Sequence, residues 1–228
     1  MKIVFLGDSL TNGSFGGDWV SLVAAQLPTH EVVNAGVGGD TVVNVAVRAE
    51  SVLEKYQPDA VFVMIGGNDA VTNIFPDTRL YYKSSKKILP DGIVTPERFG
   101  TQYRELLTYL LLEHVQPFVG LAATEYNREL IAERQRYNQI TREVAAALAI
   151  PICDLETSFM PMQPIEREPV TMKFIQEIGK RQDSGWSNFE EERAKYGYTY
   201  TFDGMHLMVE TAPKLAAVVV KFLRKHGF

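Results

Sequence analysis

An α/β fold, a parallel five-stranded sheet with helices on both faces, is what this sequence predicts, and two observations predict it. Five short runs, KIVFLG (2–7), EVVNAGV (31–37), AVFVMIG (60–66), PFVGLAA (117–123) and IPICDL (150–155), are rich in valine and isoleucine and continuously apolar. Strands covered on both faces read this way. Amphipathic helical patterns lie between the runs, and strands that alternate with helices form a parallel sheet through right-handed crossovers.

Taken in order, the first run ends in GDSLTNGS, and the first helical pattern is DWVSLVAAQL (18–27). Asp18 is its N-cap, and Trp19, Val20, Leu22, Val23 and Leu27 fall on one face. The segment 95–114 begins with Thr95 as N-cap and Pro96 at the first helical position, then repeats Phe99, Tyr103, Leu106, Leu107, Leu110 and Leu111 on its inner side. A long helix over 127–149 turns Ile131, Tyr137, Ile140, Val144 and Leu148 inward, and 212–226 forms a closing helix. Two segments, 70–94 and 156–200, exceed an ordinary connection, and such excursions are usually functional or mobile. They are read as insertions in a single domain over 1–228, the second of them cap-like.

The chain has 228 residues, 46% of them hydrophobic, with a net charge of -5. That suits one sizeable globular core and argues against nucleic acid or an anionic membrane as partner. The single cysteine, Cys153, excludes an internal disulfide and reads as a small buried hydrophobe. Met1-Lys2 leads straight into the first strand, and the longest apolar runs fall far short of a membrane span. The expectation is a cytoplasmic protein with no stable membrane insertion.

Ligands of open parallel sheets bind beyond the carboxyl ends of the strands, so the residues there carry the functional argument. The first strand is followed by Gly7-Asp8-Ser9, the second by Gly38-Gly39-Asp40-Thr41, and the third by Gly66-Gly67-Asn68-Asp69. Beyond the long excursion comes FDGMH, with Asp203 and His206 three apart. Both small doubly wound orders set strand one beside strand two, and the order 2-1-3-4-5 also sets strand three beside it, making the tips with Ser9, Gly39 and Asn68 neighbours. The set has the parts of acyl transfer. Ser9 offers a hydroxyl, His206 a base, and Asp203 a carboxylate spaced to orient the imidazole. The Ser9 and Gly39 N–H groups and the Asn68 amide are donors for an oxyanion. Each has a plainer reading too: Ser9 as a turn or cap, Gly39 as a tight turn, Asn68 as a cap, Asp203–His206 as a helix start. Of the other histidines, His30 and His114 sit at the wrong end of the sheet and His226 in the terminal tail, which leaves His206 as the base.

The blocks GDSLT, GVGGDT, GGND and DGMH, in that order, resemble the SGNH hydrolases, also called GDSL esterases and lipases. RYNQITREVAAALAIPICDL is similar to that family's fourth helix and fifth strand. The resemblance implies a flavodoxin-like sheet, order 2-1-3-4-5, in a three-layer α/β/α fold. It implies Ser9 as nucleophile, His206 as base, Asp203 as the orienting acid, and Ser9 N–H, Gly39 N–H and Asn68 as the oxyanion hole. After His206 the family commonly continues with a proline, whereas this chain reads HLMVETAPKL. The expected substrate is a small-molecule acyl ester, with no cofactor and no metal. Within the family the rivals are removal of acetyl groups from sugars and cleavage of fatty thioesters or lysolipids. A different class, a non-catalytic nucleotide or flavin binder using GDSLTNGS as a phosphate loop, lacks both a Walker lysine and G-x-G-x-x-G and has no use for Asn68 or Asp203–His206.

Around the site, Asp8, Asp40 and Asp69 are read as loop-ordering residues. Lys83, Lys86 and Lys87 make either a solvated loop or an attraction for an anionic group. Phe159, Met160, Met162, Phe174, Ile175, Trp186 and Phe189 either roof the acyl pocket, pack a small core of the insertion, or make a dimer contact.

Overall fold

In the computed structural model, residues 1–84 and 89–228 are described, and five parallel strands stand in the order 2-1-3-4-5. Along the chain these are β1 (Lys2–Gly7), α1 (Ser9–Asn12), α2 (Trp19–Gln26), β2 (Glu31–Gly36), α3 (Val42–Tyr56), β3 (Ala60–Met64), α4 (Gly67–Ile74), a 3-10 turn (Pro76–Thr78), α5 (Arg79–Tyr82) and α6 (Pro96–Leu112). Then follow β4 (Gln116–Leu121), α7 (Arg128–Ala147), β5 (Ile152–Asp154), α8 (Glu156–Phe159), α9 (Met172–Asp183), α10 (Phe189–Tyr196) and α11 (Ala212–Lys225).

Successive strand residues point to opposite faces, which divides the core in two. Val4 and Leu6, Val61 and Val63, and Val119 and Leu121 meet α3, α6 and α7 on one side. Ile3, Phe5, Phe62, Met64 and Phe118 meet Trp19, Val20 and Val23 of α2 and the Leu215–Leu223 face of α11 on the other. The result is a flavodoxin-like three-layer sandwich. Asp18 caps α2 by accepting the Ser21 N–H at 3.1 Å, and Thr95 caps α6 by accepting the Arg98 N–H at 3.3 Å.

Several details differ from the sequence pattern. β2 is an edge strand, and residues 31–35 are exposed or half-buried, because a strand with one neighbour is covered less. Leu111 is 38% exposed rather than on the inner face of α6. α3 has no signal in its valine-rich start, VVNVAV, because β-branched residues are poor helix formers. Packing makes it a helix, with Val42, Val45, Ala49 and Val52 buried and Thr41 and Asn44 forming a capping box. The 156–200 excursion is largely helical, as α8, α9 and α10. No described helix is long and apolar enough to cross a membrane.

Candidate active site

β1 ends at Gly7, where a Cβ would stand 2.3 Å from both the Met64 carbonyl oxygen and Thr11 Oγ1, so only glycine lets the chain pass. Asp8 then caps α1, its Oδ1 accepting the Leu10 N–H at 3.0 Å, and Ser9 is the first residue of that short helix. Far along the sequence, His206 brings Nε2 to 3.1 Å from Ser9 Oγ, while its Nδ1 stands 2.8 Å from Asp203 Oδ2. The three-residue spacing works because Asp203 Oδ1 also accepts the N–H groups of Met205 and His206, at 2.9 and 2.7 Å, folding the segment back on its own carboxylate. Phe15 meets the imidazole edge-on and Phe202 stacks near it, with ring centroids 5.4 and 5.9 Å away.

Asp203 and His206 are both buried. Burial pulls the His206 pKa down, but the Asp203 charge and hydrogen bond, helped by Asp8, outweigh it and hold the imidazolium above its ordinary 6.5. Burial likewise pushes Asp203 up, and the charge and hydrogen bonds of His206 bring it below the ordinary carboxylate value.

Residues that the sequence pattern did not reveal hold this segment in place. The buried Glu125 carboxylate accepts from the N–H groups of Thr199, Tyr200 and Thr201 at 2.9, 2.8 and 2.7 Å, and from Thr201 Oγ1 at 2.7 Å. Thr124 Oγ1 and the Glu125 N–H both donate to the Gly204 carbonyl, at 2.9 and 2.8 Å. From the insertion, Arg167 donates to the Asp203 carbonyl at 2.7 Å and to Tyr198 Oη at 2.9 Å. No local spacing signals these contacts: Thr199 lies 74 residues from Glu125.

The donor side is built by the tips of β2 and β3. Gly39 sits in the left-handed region at φ 77°, where glycine carries no steric cost. Asn68, near the start of α4, donates from Nδ2 to the Asp40 carbonyl at 2.9 Å and accepts the Tyr82 hydroxyl on Oδ1 at 2.6 Å. The Asp40 carbonyl, which can only accept, sets which end of the amide carries nitrogen, and an amide has a second N–H beyond the one given to Asp40. Ser9, Gly39, Asn68 and His206 all line one cavity of about 440 Å³.

Beneath the tips lies a buried charge cluster. Asp40 pairs with Arg48 at 2.8 Å, and Asp69 Oδ1 accepts the Val42 N–H at 2.9 Å. Burial pushes Asp69 up to about 7, and its Oδ2 is buried with no hydrogen-bond partner among the described residues. Asp8 is raised by the same cause. Burial lowers Arg134, against the charges of Asp8 and Asp69, and its guanidinium donates to the carbonyls of Ile65 and Ala122 at 3.0 and 3.2 Å.

The aromatic and apolar residues of the second insertion have separate fates. Phe159 joins the core on the α2–α11 side, Phe174 and Ile175 pack against the opposite core, and Ile175 also lines the cavity. Trp186 and Phe189 pack tilted or edge-on against Phe15 and Phe202, whereas Met162 is 99% exposed. Lys83 is exposed after α5, and Lys86 and Lys87 lie outside the described residues. Among the described residues no cluster of three or more His, Cys, Asp or Glu side chains is arranged to hold a metal ion.

A doubly wound sheet with a serine, a histidine and an aspartate in hydrogen-bonded sequence at its strand tips defines an α/β protein of hydrolase type. Residues 5–176 match the model of the GDSL-like Lipase/Acylhydrolase family, and the chain belongs to that family of esterases. The arylesterase of Vibrio mimicus is 28% identical over 50% of this chain and 67% of that protein. Thioesterase 1/protease 1/lysophospholipase L1 of Escherichia coli (strain K12) is 30% identical over 45% of this chain and 56% of that protein. In fold, the chain is similar to the acetyl xylan esterase AlAXEase (TM-score 0.64, 18% identity, 97% of this chain and 98% of that one). It is also similar to a lipase/acylhydrolase from Enterococcus faecalis (TM-score 0.64, 20% identity, 99% and 96% covered).

Proposed function

We propose that the protein hydrolyses carboxylic esters through an acyl-enzyme on Ser9. The observation that carries this reading is the unbroken relay from Ser9 Oγ to His206 Nε2 and from His206 Nδ1 to Asp203 Oδ2, at 3.1 and 2.8 Å. Ser9 Oγ attacks the acyl carbon as His206 Nε2 takes its proton. Asp203 keeps the other ring nitrogen protonated and stabilises the imidazolium that forms. The oxyanion is held by the Ser9 and Gly39 N–H groups and the second N–H of Asn68. The intermediate collapses, the ester C–O bond breaks, and His206 returns the proton to the leaving alcohol. Water, deprotonated by His206, then releases the acid by the same route in reverse.

The raised His206 pKa suits a group that must accept a proton, because a more basic imidazole takes it more readily once it is neutral. Within the family, the alternatives are the cleavage of sugar acetates, for which the acetyl xylan esterase is named, and of thioesters or lysolipids, for which the Escherichia coli relative is named. The 156–200 insertion is cap-like on this reading, contributing cavity wall and bracing Asp203.

The test is hydrolysis of p-nitrophenyl acetate, butyrate, octanoate and palmitate by the wild type and Ser9→Ala. Wild-type turnover and a loss in kcat on the order of 10⁴-fold or more in Ser9→Ala are expected. Equal rates in the two proteins would end the reading.

A further inference from the structure

α9 spans the cavity as a roof, and helical spacing defines its inner side. Ile175, Ile178, Gly179 and Gln182, at i, i+3, i+4 and i+7, all line the cavity, while Lys173, Gln176, Glu177 and Lys180 are exposed. The roof is fastened at both ends. Asp77 Oδ2 accepts the Met172 N–H at 2.7 Å, and Gln182 Nε2 donates to Ser14 Oγ at 2.7 Å. Between these fastenings, Ile175 packs on the cluster that holds Val71, Leu130 and Val170, and Ile178 packs on Phe15 and Phe202, the rings beside His206.

Gly179 stands between the two isoleucines on this face. A Cβ built there meets no atom within 4 Å, and its φ is not positive, so neither a close approach nor a turn requires glycine. Glycine weakens a helix interior relative to alanine. What the missing side chain does leave is open cavity.

We infer that Gly179 sets the depth of an apolar lobe under α9, and that the substrate is an ester carrying an aliphatic chain longer than acetyl. This rests on the ester-hydrolysis reading above. A cavity of about 440 Å³ is of the size that encloses a whole small organic ligand rather than a two-carbon group. Besides polar groups such as Ser9, Asn68, Arg134 and His206, its walls include Val71, Leu130, Val170, Ile175 and Ile178. An aliphatic chain is the chemistry such walls recognise. It enters either as the acid or as the alcohol of the ester.

The experiment compares kcat/KM of the wild type, Gly179→Ala and Gly179→Phe on two series: p-nitrophenyl esters from acetate to palmitate, and acetate esters of straight-chain alcohols from ethyl to decyl. In one series, Gly179→Phe loses at least about tenfold on the long members while the acetyl or ethyl member stays within about twofold, with Gly179→Ala between. The series that responds identifies which part of the ester the lobe holds. Ile175→Ala, which widens the same wall without adding bulk, moves the preference toward longer members. Uniform rates across chain length in folded Gly179 variants of an active enzyme overturn the lobe and leave the serine mechanism standing. A wild type that cleaves neither series, or Ser9→Ala acting like wild type, removes the reaction itself and the lobe with it.

Discussion

The strand tips and the 156–200 insertion close on the same cavity, yet they are held by different forces. At the tips, β1 and β3 are almost wholly buried, Gly7 is locked between Met64 and Thr11, and Asn68 is clamped by Asp40 and Tyr82. In the insertion, α9 has no buried residue and is fastened by two polar contacts. An aromatic cluster of Trp186, Phe189, Phe15 and Phe202 joins the insertion to the His206 segment. A frame fixed by sheet hydrogen bonds and close packing positions reacting atoms to fractions of an ångström. A roof resting on half-buried contacts shapes what fits without carrying the chemistry. Substitutions in the frame therefore act on kcat, and substitutions in the roof act on KM and substrate choice.

The sharpest way to break this division is Asn68→Ala. On the proposed mechanism it removes an oxyanion donor while leaving Ser9, His206 and Asp203 in place, and kcat is expected to fall about 10²–10³-fold with KM nearly unchanged. A fall confined to KM would place Asn68 with the roof.

The pH profile gives a smaller effect. On the proposed mechanism His206 must be neutral to take the serine proton, and its pKa lies above 6.5 because Asp203 outweighs burial. The acid limb of kcat/KM is thus expected to have its midpoint above 6.5. The sign for stability runs the other way. The imidazolium–Asp203 pair stabilises the fold fully below the ordinary histidine pKa, and that contribution fades as pH rises through the raised value. Activity is gained over the window in which this contribution is lost, and unfolding midpoints measured beside the rate profile check both halves.

Trp186→Ala is the mildest of the three. Trp186 is half-buried, carries Arg181 at 4.5 Å over its ring and meets Phe189 edge-on at 5.3 Å. Its removal is expected to cost about 1–3 kcal/mol of stability, with kcat on a short ester changed less than about fivefold. A collapse of kcat at unchanged fold would show that the roof, through Phe202, positions His206.

The sheet, its apolar strands and the four short blocks at its tips are legible in the amino-acid sequence. Burial on both faces writes itself as continuous valine and isoleucine, and catalytic residue types stand out against that background. Ser9, Gly39, Asn68, Asp203 and His206 stood out for this reason; the structure lines one cavity with Ser9, Gly39, Asn68 and His206 and sets Asp203 behind the imidazole, 2.8 Å from its Nδ1. That α3 is a helix follows from tertiary packing alone, since its valines have no helical preference without the core they pack on. Only the tertiary structure decided that Glu125, Arg167 and Tyr82 serve the site. Each acts through a partner distant in sequence, or through a side chain whose direction no periodicity reports. The same limit hid the role of 156–200. Its apolar residues carry no mark saying which will meet the core, which will stack beside His206, and which, like Met162, will meet solvent, because that depends on where the chain returns in space.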